Sequence, residues 1–297
     1  MVDEHYLKQI KGLQLTKLDR YLFQGETNKW PNGHVYGGQV LGQSIDAGMQ
    51  SVDDKFQLHS MHAYFLRLGN GDLPIIYEVD PIRDGRSFCT RRVNAIQNGE
   101  AIYTAILSFH IEETGLSHQP QMPDVTPPEE LMDDIDYYHQ VLDKMGPMGE
   151  KLKKRFEKPL IPFEMRSYDR IDILAPEKKD VHGGFWFKLR YEGDDDPQNN
   201  TKLLGYLSDM GLLAGNFRPH AYVPFDPRIK NICSLDHTFH LHSREFRVDE
   251  WMYHSIEGTW TGGARALGRG HIFRRDGKLI ATVAQEGLLR IHDSAKI

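Results

Sequence analysis

Residues 201–215 read TKLLGYLSDMGLLAG. Leu203, Leu204, Tyr206, Leu207, Met210, Leu213 and Ala214 wrap most of a helical wheel, so the stretch reads as a helix enclosed by other structure. The remaining stripe is Gly205, Ser208 and Asp209. Small residues three apart allow close approach to the helix, and a carboxylate in an enclosed setting needs a partner because burying it alone costs several kcal/mol. Asp209 is therefore the lead functional candidate, set against the plainer reading that the three residues form a narrow solvent face.

The flanking sequence is strand-like. FWFKLRY (185–191) precedes the helix, and strands are expected near 232–242, 251–257, 264–273 and 279–289, the last two joined through Asp276-Gly277. The first half has the same order. A helix opens at Gly37-Gly38, with Val40, Leu41, Ile45, Gly48 and Val52 on its apolar face and Gln39, Gln43, Asp46 and Gln50 opposite. A short strand-like piece near residues 21–23 precedes it. Strands at 58–66, 75–79, 87–96 and 101–111 follow, and Asn98-Gly99 between alternating apolar runs signals a tight hairpin. HSMHAYFLR matches DHTFHLHSR, and QNGEAIYTAILSF matches RRDGKLIATVAQEG. A repeat this long indicates two tandem copies of one domain. The expected fold is α+β, a double hot-dog with one helix on a curled antiparallel sheet made twice, the two sheets pairing edge to edge. The expected division is 1–115, a Pro-rich and charged linker at 116–163 with one or two exposed helices, and 164–297.

At 297 residues, 39% hydrophobic and 26% charged, the chain builds proper cores. Net charge −6 argues against a general nucleic-acid binder. No apolar run reaches the roughly 18 residues of a membrane span, and the charged, amphipathic start is not a secretory signal. The 2 cysteines, Cys89 and Cys233, sit in separate strand-like runs, as buried thiols of a reducing compartment do. Ala295-Lys296-Ile297 forms a small-basic-aliphatic ending similar to the peroxisomal address, with an import receptor as the implied partner; the alternative location is cytoplasmic.

VYGGQVLGQSIDA, HSMHAYFLRLGNGDLPIIYEVDPIRDGRSFCTRRVNAIQNGEAIYTAILSF, LLGYLSDMGLL, LDHTFHLH and ATVAQEGLLR together resemble the acyl-CoA thioesterase II family, in the right order and over nearly the whole chain except the linker. The resemblance implies hydrolysis of fatty acyl-CoA to free acid and CoA, with no cofactor or metal. It implies a catalytic acid at Asp209 in its YxSD context, a hydroxyl at Ser234, where threonine is the commoner residue, and a glutamine at Gln285 in its QEG context. An aspartate would take a proton from water while the hydroxyl and the amide orient that water, and a backbone N–H at a glycine-rich helix start would receive the oxyanion.

The residues themselves weigh differently. Gln285 alternates with Leu279, Ala281 and Val283 on a face meant for burial, as a site residue would. Alternation places Ser234 with Asp236 and Thr238, opposite Leu235, Phe239 and Leu241, so the resemblance alone supports it. Gly37 and Gly38 leave N–H groups open to a carbonyl oxygen or anion and are the expected substrate contacts, with His59 and Arg91. Arg91 and Arg92 lie on opposite strand faces, so one at most faces a CoA phosphate. His34, Asp46 and His59 belong to the first copy, and a plain solvated stripe explains Asp46 equally well. His240 and His242 share a strand face but His237 points away, which argues against a metal. Cys233 and His237 lie more than roughly 10 Å apart along a strand, too far for a nucleophilic dyad. A homo-oligomer is expected. Two competing readings are a non-catalytic acyl-CoA-binding hot-dog protein and a hot-dog enoyl-CoA hydratase; the hydratase would need an Asp/His pair on a hydratase-type motif, which is not evident.

Overall fold

The structure, a computed structural model, describes residues 10–30, 33–147, 149–150, 161–223 and 226–292. The ending Ala295-Lys296-Ile297 lies outside the described residues. The first half runs β1 (Leu15–Asp19), β2 (Leu22–Gly25), α1 (Gly37–Met49), β3 (Gln57–Phe65), β4 (Ile75–Asp84), β5 (Phe88–Gln97) and β6 (Glu100–His110). A short 3-10 turn (Pro128–Glu130) and α2 (Asp134–Lys144) lie between the halves. The second half runs β7 (Phe163–Tyr168), β8 (His182–Leu189), α3 (Pro197–Ser208), a 3-10 turn (Leu212–Asn216), β9 (Ile229–Ser234), β10 (Asp236–Leu241), β11 (Met252–Gly262), β12 (Arg265–Arg274) and β13 (Leu279–Ile291).

The strands form one antiparallel sheet in the order β1-β2-β4-β5-β6-β3-β10-β13-β12-β11-β8-β7, with β9 on β13. Its seam is β3 on β10, where Tyr64 faces Asp236 and Ser60 faces His240. This is the expected double hot-dog, joined edge to edge so that neither inner edge is left unpaired. Asn98 and Gly99 both have positive φ, 51° and 78°, as the tight β5–β6 turn requires. The β12–β13 hairpin differs, since only Gly277 has positive φ and Arg274 N–H bonds Lys278 O across a longer loop.

Both helices lie inside the curl and cross in backbone contact. A Cβ on Gly38 would stand 2.1 Å from the Tyr206 carbonyl oxygen, and one on Gly205 would stand 2.3 Å from Ile45 Cδ1. The small residues on α3 thus admit α1. Leu41, Ile45, Leu204, Leu207, Phe109, Phe187 and Phe239 fill the space between helices and sheet.

Four expectations are corrected. The helix of 201–215 starts earlier and stops sooner. Asp196 caps it through the Gln198 N–H, Pro197 sits at its first turn, and Gly211 at φ 72° ends it in the left-handed region. The polar stripe of α1 is buried at Gln39, Gln43 and Asp46 and exposed only at Gln50. Gln39 Nε2 bonds Glu26 O, and Gln43 Nε2 bonds Gly12 O and Glu26 O while its Oε1 accepts from Tyr77. The single strand expected at 232–242 is two, broken at Leu235. The helix expected to be exposed in the linker is not wholly so: α2 buries Val141 and Leu142, and ahead of it Met122, Val125 and Leu131 pack on Trp186, Tyr253 and Phe273 of the second half.

Candidate functional site

Asp209 is the residue at which α3 stops, and three glycines set where it points. Gly215 and Gly258 meet backbone to backbone, and a Cβ on Gly268 would stand 2.4 Å from Leu212 O. The 3-10 turn after Gly211 therefore lies directly on β11 and β12, holding the end of α3 over β13. There Ser234 Oγ donates to Asp209 Oδ1 at 3.1 Å, and Gln285 Nε2 donates to Ser234 Oγ at 2.6 Å. Asp209 and Ser234 are half-buried; Gln285 is buried.

Ser234 reaches this face because the alternation is broken. Ser234 pairs with Gly287 while Thr238 pairs with Ala284, so four steps on one strand oppose three on the other. That one-residue bulge reverses which face each side chain takes. Leu235 N–H bonds Glu286 O at 2.8 Å, and Asp236 Oδ1 accepts the Glu286 N–H at 2.7 Å, so the irregular step keeps its hydrogen bonds. His237, on the inward face of β10 with Phe239 and Leu241, is thereby brought to the same side as Ser234. Fully buried, it places Nδ1 2.7 Å from Gln285 Oε1 and Nε2 2.9 Å from Ser208 Oγ. Burial pushes its pKa down, opposed by the nearby Asp209 carboxylate.

These groups open onto a cavity of about 640 Å³, within the range of ligand sites, whose lining includes Gly37, Asp209, Ser234 and Gln285. A Cβ on Gly37 would stand 2.7 Å from Asp209 Oδ2, so the first residue of α1 abuts the carboxylate. Tyr36 stacks on Trp30 at 4.8 Å and donates to Tyr206 O at 3.2 Å, and burial, then Asp209, raises its pKa well above the ordinary phenol value. Away from the polar corner the wall is apolar, with Ile135 and Tyr138 of α2, Phe163, Phe185 and Leu213. Arg190 and Arg218 at its edge bond Asp133 at 3.0 Å and Asp169 at 2.6 Å, and Arg170 bonds Asp134.

The other expected contacts are placed elsewhere. Gly38 is used up in the helix crossing. His59 bonds Ser108 Oγ at 2.8 Å on the outer sheet face, beside Phe88 and His110. Arg91 is 3% exposed and holds Asp84 at 2.6 Å with the carbonyls of Arg83 and Ser51, so its charge is spent tying β5 to the end of β4 and to the loop after α1. Neither lines the cavity. Among the described residues no His/Cys/Asp/Glu cluster could hold a metal.

LGQSIDAG (41–48) within α1 aligns without a gap to LGYLSDMG (204–211), which runs off the end of α3, and this makes Asp46 the counterpart of Asp209. Asp46 is buried and occupied: Lys202 Nζ lies at 3.4 Å, and Leu15 N–H and Gln50 Nε2 donate to it at 3.2 and 2.9 Å.

The profiles of the family described as acyl-CoA thioesterase, C-terminal and N-terminal domains, match residues 141–289 and 27–110. The chain belongs to the acyl-CoA thioesterase family. It is similar to acyl-CoA thioesterase 2 of Haemophilus influenzae, 36% identical over 95% of this chain and 96% of that protein. It is also similar to human acyl-coenzyme A thioesterase 8, 34% identical over 94% of this chain and 88% of that one. The crystal structure of an acyl-CoA thioesterase II from Mycobacterium marinum superposes with a TM-score of 0.77 at 34% identity, covering 97% of this chain and 99% of that one. The thioesterase is thus a thioester hydrolase of the double hot-dog type.

Proposed function

We propose that Asp209, Ser234 and Gln285 carry the hydrolysis of fatty acyl-CoA to free fatty acid and CoA. The observation behind this is the chain from Gln285 through Ser234 to Asp209, 2.6 and 3.1 Å, at the polar corner of an otherwise apolar cavity. The Asp209 carboxylate takes a proton from water as its oxygen attacks the thioester carbon. Ser234 leaves Asp209 Oδ2 free by engaging Oδ1, and Gln285 retains a second N–H to orient the water. Gly37 at the start of α1 supplies an N–H to the developing oxyanion, with the positive end of the helix behind it. The tetrahedral intermediate collapses by breaking the C–S bond. Thiolate leaves readily, so no strong acid is required, and the proton held by Asp209 leaves with the products.

The test is thiol release from acyl-CoA by the enzyme and by Asp209→Asn. Turnover should fall on the order of 10²- to 10⁴-fold with acyl-CoA binding retained; equal rates would sink the assignment. The rest of the reading comprises a homo-oligomer, the division into 1–115, 116–163 and 164–297, and peroxisomal import through Ala295-Lys296-Ile297.

A further inference from the structure

We infer that His237 is a positioning residue that acts through Gln285, fixing which end of its amide faces Ser234 and the reacting water. The inference rests on the reading of Asp209, Ser234 and Gln285 above and adds a fourth group to it.

The direction of each bond follows from the one before. An ionised carboxylate only accepts, so Ser234 must spend its single O–H on Asp209 at 3.1 Å. Ser234 Oγ is then an acceptor toward Gln285 and requires the amide NH₂ at 2.6 Å. That turns Gln285 Oε1 to His237, whose Nδ1 at 2.7 Å must carry the proton. Burial keeps the ring neutral, so Nε2 accepts from Ser208, whose hydroxyl is shared with Gly205 O at 2.8 Å. The result is a one-way chain from Ser208 through His237, Gln285 and Ser234 to Asp209. Reversing the Gln285 amide would set two acceptors against each other at Ser234. With His237 present the reversed amide also faces N–H with N–H; without it, nothing on that side of Gln285 opposes the flip. An amide placed the wrong way leaves the substrate-facing geometry to chance while folding is unaffected, because the same atoms fill the same space.

The side-chain isosteres separate this from a packing role. Asparagine places its NH₂ near the position of Nδ1, whereas glutamine reaches only toward that of Nε2. Initial rates on acyl-CoA should show kcat for His237→Leu and His237→Gln falling about 10- to 100-fold with KM little changed. His237→Asn should recover to within about threefold of the unmodified enzyme. In a Gln285→Ala background, His237→Leu should cost nothing further, since the group it orients is gone. Should His237→Leu fail to fold, the Asn and Gln variants make the same comparison. Equal kcat for Asn and Gln, or independent losses in the double variant, would overturn the inference while leaving Gln285 in its role. Full turnover by Gln285→Ala would remove both that role and the inference.

Discussion

Gly37→Ala tests the placement of Asp209 without touching its chemistry. The new methyl would stand 2.7 Å from Asp209 Oδ2 and 3.1 Å from the Phe65 ring, where ordinary contact begins at 3.4 Å. The carboxylate must therefore retreat by about 0.7 Å. The Ser234 bond starts at 3.1 Å, so a retreat away from Ser234 stretches it to about 3.8 Å, past hydrogen-bonding distance. Misplacement of this size costs roughly 10²-fold in kcat, or about 2.7 kcal/mol in the barrier. Stability should hardly move, because alanine gains up to about 1 kcal/mol of helical preference against a carboxylate that can swing aside. Gly38→Ala is the paired control. Its methyl meets the Tyr206 carbonyl at 2.1 Å, which is backbone and cannot yield, so the two helices must separate. That variant should lose about 2 to 3 kcal/mol or more of stability, read as a drop in Tm. Thiol release and thermal unfolding on both proteins decide the matter: Gly37→Ala with unmodified kcat would refute the argument that α1 sets the carboxylate's position.

Arg91→Ala should lower stability by about 2 to 3 kcal/mol through loss of its bonds to Asp84 and to the Arg83 and Ser51 carbonyls, while KM for acyl-CoA stays within twofold. A tenfold rise in KM at unchanged Tm would return Arg91 to substrate binding. His254, buried with neither nitrogen hydrogen-bonded in the folded protein, has its pKa pushed by burial from 6.5 to about 3. The neutral ring is favoured in the fold and the unfolded chain binds the extra proton. Its contribution is therefore complete above pH 6.5 and is lost as pH falls toward 3, at about 1.4 kcal/mol per pH unit. Urea unfolding at pH 6.5 and 5 should show about 2 kcal/mol less acid loss in His254→Leu than in the unmodified protein; identical losses would contradict it.

The sheet, its hairpins and the paired helices were legible because alternation and glycine turns are local signals. Gln285 could be placed for the same reason: its apolar neighbours at 279, 281 and 283 fix its face. Ser234 could not, since alternation counted across an unseen bulge gives the wrong face, and the bulge at Leu235 is set by pairing with β13; His237 was on its proper face, with Phe239 and Leu241, but nothing local marked its partners Gln285 and Ser208. The ends of α3 carried readable signals in Asp196-Pro197 and Gly211, masked by the apolar run LLAG that continues past the stop. The burial of Gln39, Gln43 and Asp46 was not legible because their partners, Gly12, Leu15, Glu26 and Lys202, come from distant segments. A mid-strand arginine carries no label distinguishing a phosphate clamp from the internal tie that Arg91 makes.

Asp46 and Asp209 stand at matched sequence positions of the two copies, one paired with Lys202 and one facing a cavity. Separate identical polypeptides would have to give both helices the same sequence, so a lysine that braces one acid would cripple the other. Covalent fusion lifts that obligation. Symmetry is retained in the architecture, where it keeps the seam closed, and broken at the two acids, where one aspartate has become a strut and its twin is left open to the cavity.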